Sequence, residues 1–199
     1  MNKNMIKAGE LRKNLDSLPE SVGIYRWYAN KETCEEIFSS FKDWEKIFAD
    51  DPVHMIDGKE CYLIYLGTSS RKNAGIRKRL SWHITQEHDL NSVKTGTLST
   101  FRQTLSSLVA NDQSDTDATN NIIDKLWVEY ETLDLPCGEK ETIDFIEQKE
   151  ETLIDKYHPP LNIKSNNPKS ETKKAFKKFL TKRRKESKEI ALQKLESLK

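Results

Sequence analysis

No stretch of this 199-residue sequence is apolar over the length needed to cross a bilayer, and its opening residues, MNKNMIKAGELRKNL, lack the apolar centre of a signal peptide. Both absences lead to the expectation of a soluble, cytoplasmic protein with no membrane partner. Cysteine is scarce. Cys34, Cys61 and Cys137 are odd in number and far apart, which excludes an even disulfide framework and the paired spacing of a zinc site, so they read as reduced structural residues. His54, His88 and His158 show no partner spacing that argues for a metal. Net charge is nearly absent too, at +1.

That near-neutrality hides an asymmetry. Residues 169–199 hold 12 Lys and Arg against 4 Asp and Glu, or +8, which leaves −7 for residues 1–168. A basic arm on an acidic body is a signal of a charged partner. With 35% hydrophobic and 33% charged residues, the chain can bury one modest core. The expected organisation is a domain over 1–168, with inserts at about 30–58 and 87–122, followed by a helical basic tail over 169–199.

Along the chain, Leu11, Leu15 and Leu18 fit a short amphipathic lead-in that Pro19 ends. In the next run Val22, Ile24 and Tyr28 alternate with Gly23, Tyr25 and Trp27, which predicts a strand with Tyr25 on the face away from the aliphatic pair. In the first insert Thr33 and Glu36 read as a capping box, and Ile37, Phe41, Trp44 and Phe48 recur with helical period, as a lid on the core or, alternatively, an oligomer contact. Asp57 and Gly58 turn the chain into an apolar strand ending at Tyr65, Leu66 and Gly67, where Gly67 reads as a turn. Within it Leu63 and Tyr65 are expected on one face and Ile64 on the other.

The following helix buries Ile76, Leu80 and Ile84, with Arg79 and His83 along its edge and Arg77 and Lys78 further round. In the second insert Thr100 with Gln103 suggests a capping box, Phe101, Leu105, Leu108 and Val109 form a helical stripe, and Asn111 to Asn121 reads as a mobile polar loop. Leu126 to Leu133 is a third strand. The helix after Gly138 carries Glu150 in the middle of its apolar stripe, where a carboxylate needs a partner. Pro159 and Pro160 end it, and Leu161 and Asn162 tuck the chain back.

Singly, these polar residues have ordinary explanations: a sheet tyrosine, a surface arginine, a hydrogen-bonded histidine, a glutamate salt-bridged to Arg79, a turn asparagine. Their order carries more. Gly23, Ile24, Tyr25, then Tyr65, Leu66, Gly67, then Arg79, His83, Glu150 and Asn162 together resemble the GIY-YIG nuclease family over residues 15–164.

The resemblance implies a mixed α/β (α+β) fold, with a three-stranded antiparallel sheet flanked by helices, and metal-dependent DNA cleavage. It implies that Tyr25 takes the proton of the attacking water, Arg79 grips the scissile phosphate, and Tyr65 and His83 orient water and phosphate. Asn162 would hold the end of the glutamate helix. A hard carboxylate suits Mg²⁺ or Mn²⁺, and a single acidic position argues for one ion at Glu150.

Arg71, Lys72, Arg77 and Lys78, with Lys177, Lys178, Lys182, Arg183, Arg184 and Lys185 of the tail, are candidate DNA contacts. The expected role is a restriction-type or mobile-element endonuclease. The alternatives are a structure-specific repair nuclease and a non-catalytic DNA-binding protein on the same scaffold. A homodimer on DNA is the simplest way for such a chain to cut both strands.

Overall fold

The computed structural model describes residues 5–70 and 75–198. The expected sheet is present but has five strands: β1 (Met5–Lys7), β2 (Gly23–Asn30), β3 (His54–Ile56), β4 (Lys59–Ser69) and β5 (Trp127–Thr132), in the order β1-β5-β2-β4-β3. All neighbours pair antiparallel. The two strands beyond expectation lie at the edges, and each is three residues long, too short to display an alternating pattern. Asp57 and Gly58, at φ of 49° and 74°, close the β3–β4 hairpin with the left-handed pair such a two-residue turn requires.

Helices α1 (Ala8–Leu11), α2 (Lys31–Phe38), α3 (Ile76–Thr85), α4 (Leu90–Thr95), α5 (Thr100–Val109), α6 (Thr116–Ile123), α7 (Lys140–Tyr157) and α8 (Glu171–Ser197) surround the sheet. The first insert is not one continuous helix: α2 stops at Phe38, and a separate 3-10 turn carries Trp44 to Phe48. Its cap is Asn30, whose side chain accepts from the Thr33 N–H at 3.0 Å, so the helix begins a turn before the expected capping box. In the second insert the cap is Ser99 rather than Thr100. The segment expected as a mobile loop contains α6, started by Asp115 accepting from the Ala118 N–H at 2.8 Å.

The main core lies on one face of the sheet, where Tyr25, Trp27, Tyr65, Ile76, Leu80, Phe101 and Leu105 join Ile37 and Phe38 of the first insert. Phe176 and Leu180 of α8 belong to the same cluster, and the Phe176 ring meets those of Phe38 and Phe41 at 5.4 and 5.2 Å. On the opposite face Ile24 and Leu66 pack on Ile154 of α7.

A bulge decides which side chains reach which face. Trp27 pairs with Tyr65 while Tyr28 pairs with Leu63, so Ile64 is an extra residue in β4. Ile64 and Tyr65 therefore both enter the main core, and Leu63 joins Tyr28 on the other side, which corrects the expected alternation. Gly67 is not in a turn: it lies inside β4, paired with Tyr25. A Cβ there would stand 2.3 Å from the Tyr25 hydroxyl oxygen, so the glycine clears space for the phenol ring.

Candidate active site

Beyond the reach of β3, which pairs only with Lys59 to Cys61, the outer edge of β4 is open, and the turn after α7 closes it. Asn162 accepts from the Leu66 N–H at 2.9 Å and donates to the Leu66 carbonyl at 2.8 Å, while the Leu161 N–H donates to the Ile64 carbonyl at 2.9 Å. Asn162 thus acts as a one-residue strand that fixes the end of α7 against β4. Glu150, one turn from both Ile146 and Ile154, is carried to the sheet by their burial. There its carboxylate accepts from the Thr68 hydroxyl at 2.8 Å.

On the other flank, α3 brings Arg79 and His83 onto the Tyr25 oxygen. His83 Nε2 lies 2.7 Å from it and Arg79 Nε donates to it at 3.4 Å. The bond across the His83 ring joins Nδ1 to the Ser99 hydroxyl at 3.0 Å. Tyr25 and His83 are both fully buried. Arg79 is their link to solvent, since it also lines two adjoining hollows of about 190 and 420 Å³ with Glu150, Glu147, Thr100 and Lys164. Tyr65 and Asn162 border the smaller hollow, and Thr68, Lys78 and Trp82 the larger.

Burial dominates the protonation of these groups. It pushes the Tyr25 phenol up to about 12 against the opposing pull of the Arg79 guanidinium, and it pushes the Tyr65 phenol up as well. Burial also holds His83 well below its ordinary value, helped by Arg79 and Arg102, so the ring is neutral. Glu150 is raised by desolvation, which the Thr68 hydrogen bond and Arg79 only partly offset. No ion pair joins Arg79 and Glu150 among the described residues; the carboxylate is hydrogen-bonded to Thr68 instead.

A desolvated carboxylate beside a hydroxyl, on the wall of an open cleft, is a hard oxygen set that fits a divalent ion. Among the described residues no group of three or more His, Cys, Asp and Glu stands ready to enclose a metal.

The candidate DNA contacts divide in space. Arg71 and Lys72 lie outside the described residues. Arg77 is turned to the lead-in, donating to the Leu18 carbonyl at 2.7 Å and to Glu20 at 2.9 Å. In the tail, Arg184 points inward to Gln103 at 2.5 Å, Lys177 donates to the Asn166 carbonyl, and the Arg183 Nε is buried. Lys178, Lys182 and Lys185 remain exposed along one trough of α8, with Lys174. Sequence reasoning misses Thr68, Ser99, Arg102 and Lys164. Thr68 directly follows the second tyrosine signature, and Ser99 directly precedes the expected cap, so adjacency alone could flag these two.

No helix of the described residues is long and apolar enough to cross a membrane. Compared with known proteins, the chain matches the GIY-YIG catalytic domain over residues 23–186, a span that includes all six site positions and the first half of α8. No curated protein and no solved structure gives a match. Since that span covers most of the chain, the protein belongs to the GIY-YIG family of nuclease domains, whose chemistry is phosphodiester hydrolysis, typically with a divalent metal.

Proposed function

We propose that the protein is an endonuclease that hydrolyses DNA with one Mg²⁺ or Mn²⁺ ion held at Glu150. The observation that carries this reading is Arg79, which touches the Tyr25 oxygen and lines the same cleft as Glu150. A phosphate drawn to the Arg79 fork would then lie between the base and the metal position. When bound, the ion supplies positive charge against the leaving oxygen.

Tyr25 acts as the base. Its ionised form is disfavoured by burial and favoured by the charge and the N–H of Arg79. Tyr65 borders the cleft and orients the phosphate; Asn162 keeps β4 and the glutamate helix in register. Lys178, Lys182 and Lys185 carry the backbone of the duplex without reading sequence. The role proposed is that of a restriction-type or mobile-element endonuclease, in which these lysines supply affinity and not the choice of site.

Supercoiled plasmid incubated with the protein and Mg²⁺ should be nicked or linearised, and chelator or Tyr25→Phe should abolish the conversion. Undiminished cutting in excess chelator, or by Tyr25→Phe, would refute the reading.

A further inference from the structure

Behind His83 lies a buried arginine that the reaction does not use. Arg102 of α5 is fully buried, and no carboxylate among the described residues accepts from it. Its guanidinium donates to His88 Nε2 at 2.8 Å, to the His83 and Ile84 carbonyls at 2.9 and 3.2 Å, and to the Asn120 side chain at 2.8 Å. Its backbone N–H donates to the Ser99 hydroxyl at 3.2 Å, the same oxygen that meets His83 Nδ1. Arg102 therefore holds the last turn of α3 by its carbonyls and the His83 ring through Ser99.

Proton counting gives this arrangement a direction. The path from Tyr25 through His83 to Ser99 has two hydrogen bonds and three protons: the phenol's, the ring's and the serine's. While Tyr25 is neutral, one hydroxyl proton at one end of the path has no acceptor along it. All protons are satisfied only when Ser99 donates to Nδ1, Nε2–H donates to the Tyr25 oxygen, and Tyr25 has lost its own proton. The charged surroundings agree. His83 faces Arg79 on its own helix and Arg102 on α5, and its ring is otherwise enclosed by Tyr25, Trp27, Tyr65 and Phe101. Both cations act on the ring, and the phenol oxygen of Tyr25 is the group in hydrogen-bond contact with it that can become their anion.

We propose that Ser99 and Arg102, both supplied by the second insert, are positioning residues that fix His83 in the tautomer with its proton on Nε2, so that the ring donates to the Tyr25 oxygen. His88 is fixed in the opposite sense: its Nδ1 meets the Gln113 carbonyl at 2.7 Å and its Nε2 receives the Arg102 N–H, so its proton is on Nδ1. One arginine thus stands behind two histidines of opposite tautomer. The inference rests on the reading of Tyr25 as the base.

The test is a long-range ¹H–¹⁵N NMR spectrum of the full-length protein at neutral pH, with His83 and His88 assigned through His83→Gln and His88→Gln. His83 is expected neutral with the proton on Nε2, and His88 neutral with the proton on Nδ1. In Ser99→Ala the His83 signature should shift away from the Nε2–H form. Its plasmid cleavage should fall by about tenfold, the factor that one hydrogen bond typically sets, and the rise of rate with pH should move to higher pH, because the phenolate then has a weaker donor. Ser99→Thr, which keeps the hydroxyl, should restore all three.

A parent protein whose His83 carries its proton on Nδ1 overturns the inference, as does a Ser99→Ala protein with an unchanged His83 signature. A parent with the expected tautomers that cuts no DNA supports the inference and refutes the functional reading instead.

Discussion

Replacing Glu150 with alanine separates a metal ligand from a structural anion. In the folded protein the carboxylate is largely desolvated, and its hydrogen-bond partner is Thr68 at 2.8 Å. Removing it forfeits a hydrogen bond to a charged group, worth about 1.5–3 kcal/mol, and removes a desolvation cost that outweighs that bond, because the carboxyl is raised rather than lowered. The two changes oppose each other, so the net effect should lie within about 1 kcal/mol of zero, or about 2–4 °C in melting temperature for a chain of this length.

Had Glu150 been the buried partner of an arginine, its removal would cost about 3–5 kcal/mol. The pH dependence has a definite sign. A carboxyl whose folded pKa is raised contributes stability that is fully present below its unfolded value, about 4.3, and lost as pH rises through the folded value. The parent should therefore gain on Glu150→Ala as pH is lowered from 7 towards 4. Scanning calorimetry of both proteins across that range measures this, with plasmid cleavage alongside. A mutant that melts more than about 10 °C below the parent at pH 7, or that gains on the parent as the pH falls, would refute the argument.

Gly67→Ala should cripple cleavage and lower stability, because its Cβ would stand 2.3 Å from the Tyr25 hydroxyl oxygen between two paired strands; a variant with parental rate and melting point would contradict the role given to this glycine. Replacing Lys178, Lys182 and Lys185 together by alanine should leave melting unchanged, since all three are exposed. The slope of log affinity against log salt should shrink by about 0.9 for each phosphate that is no longer neutralised. An unchanged slope would show that the trough of α8 is idle.

The elements most legible in the sequence are those whose pattern repeats within one segment. Tyr25 and Tyr65 can be assigned to strands, Arg79 and His83 to one helix edge, and Glu150 to an apolar stripe, because each needs only its neighbours in the chain. What stays hidden depends on distant partners. The bulge at Ile64 exists only in the pairing of β4 with β2, so no alternation within β4 could announce it. Ser99 and Thr100 are adjacent residues of nearly equal capping ability, and in the fold it is Ser99 that accepts from the Arg102 N–H. Arg102, a long cation beside Phe101, would ordinarily be assigned to solvent, and only acceptors from α3, His88 and α6 make its burial tolerable. Arg184 looks like the lysines around it, yet its place on the helix turns it to Gln103.

The tail reads from sequence as an arm, yet its first turns are part of the wall. Phe176 and Leu180 complete the cluster that also contains Tyr25 and Tyr65, so the element that carries the exposed lysines also closes the interior beneath the two tyrosines. During synthesis the ribosome must pass residue 180 before that interior can close. At about 5–20 residues per second, everything from β2 onward waits several seconds for its last apolar partners. A chain made only as far as α7 exposes the apolar faces that Phe176 would cover, the kind of surface that aggregates in incomplete folds. The interior beneath the two signature tyrosines therefore closes only after the first turns of α8 have been made.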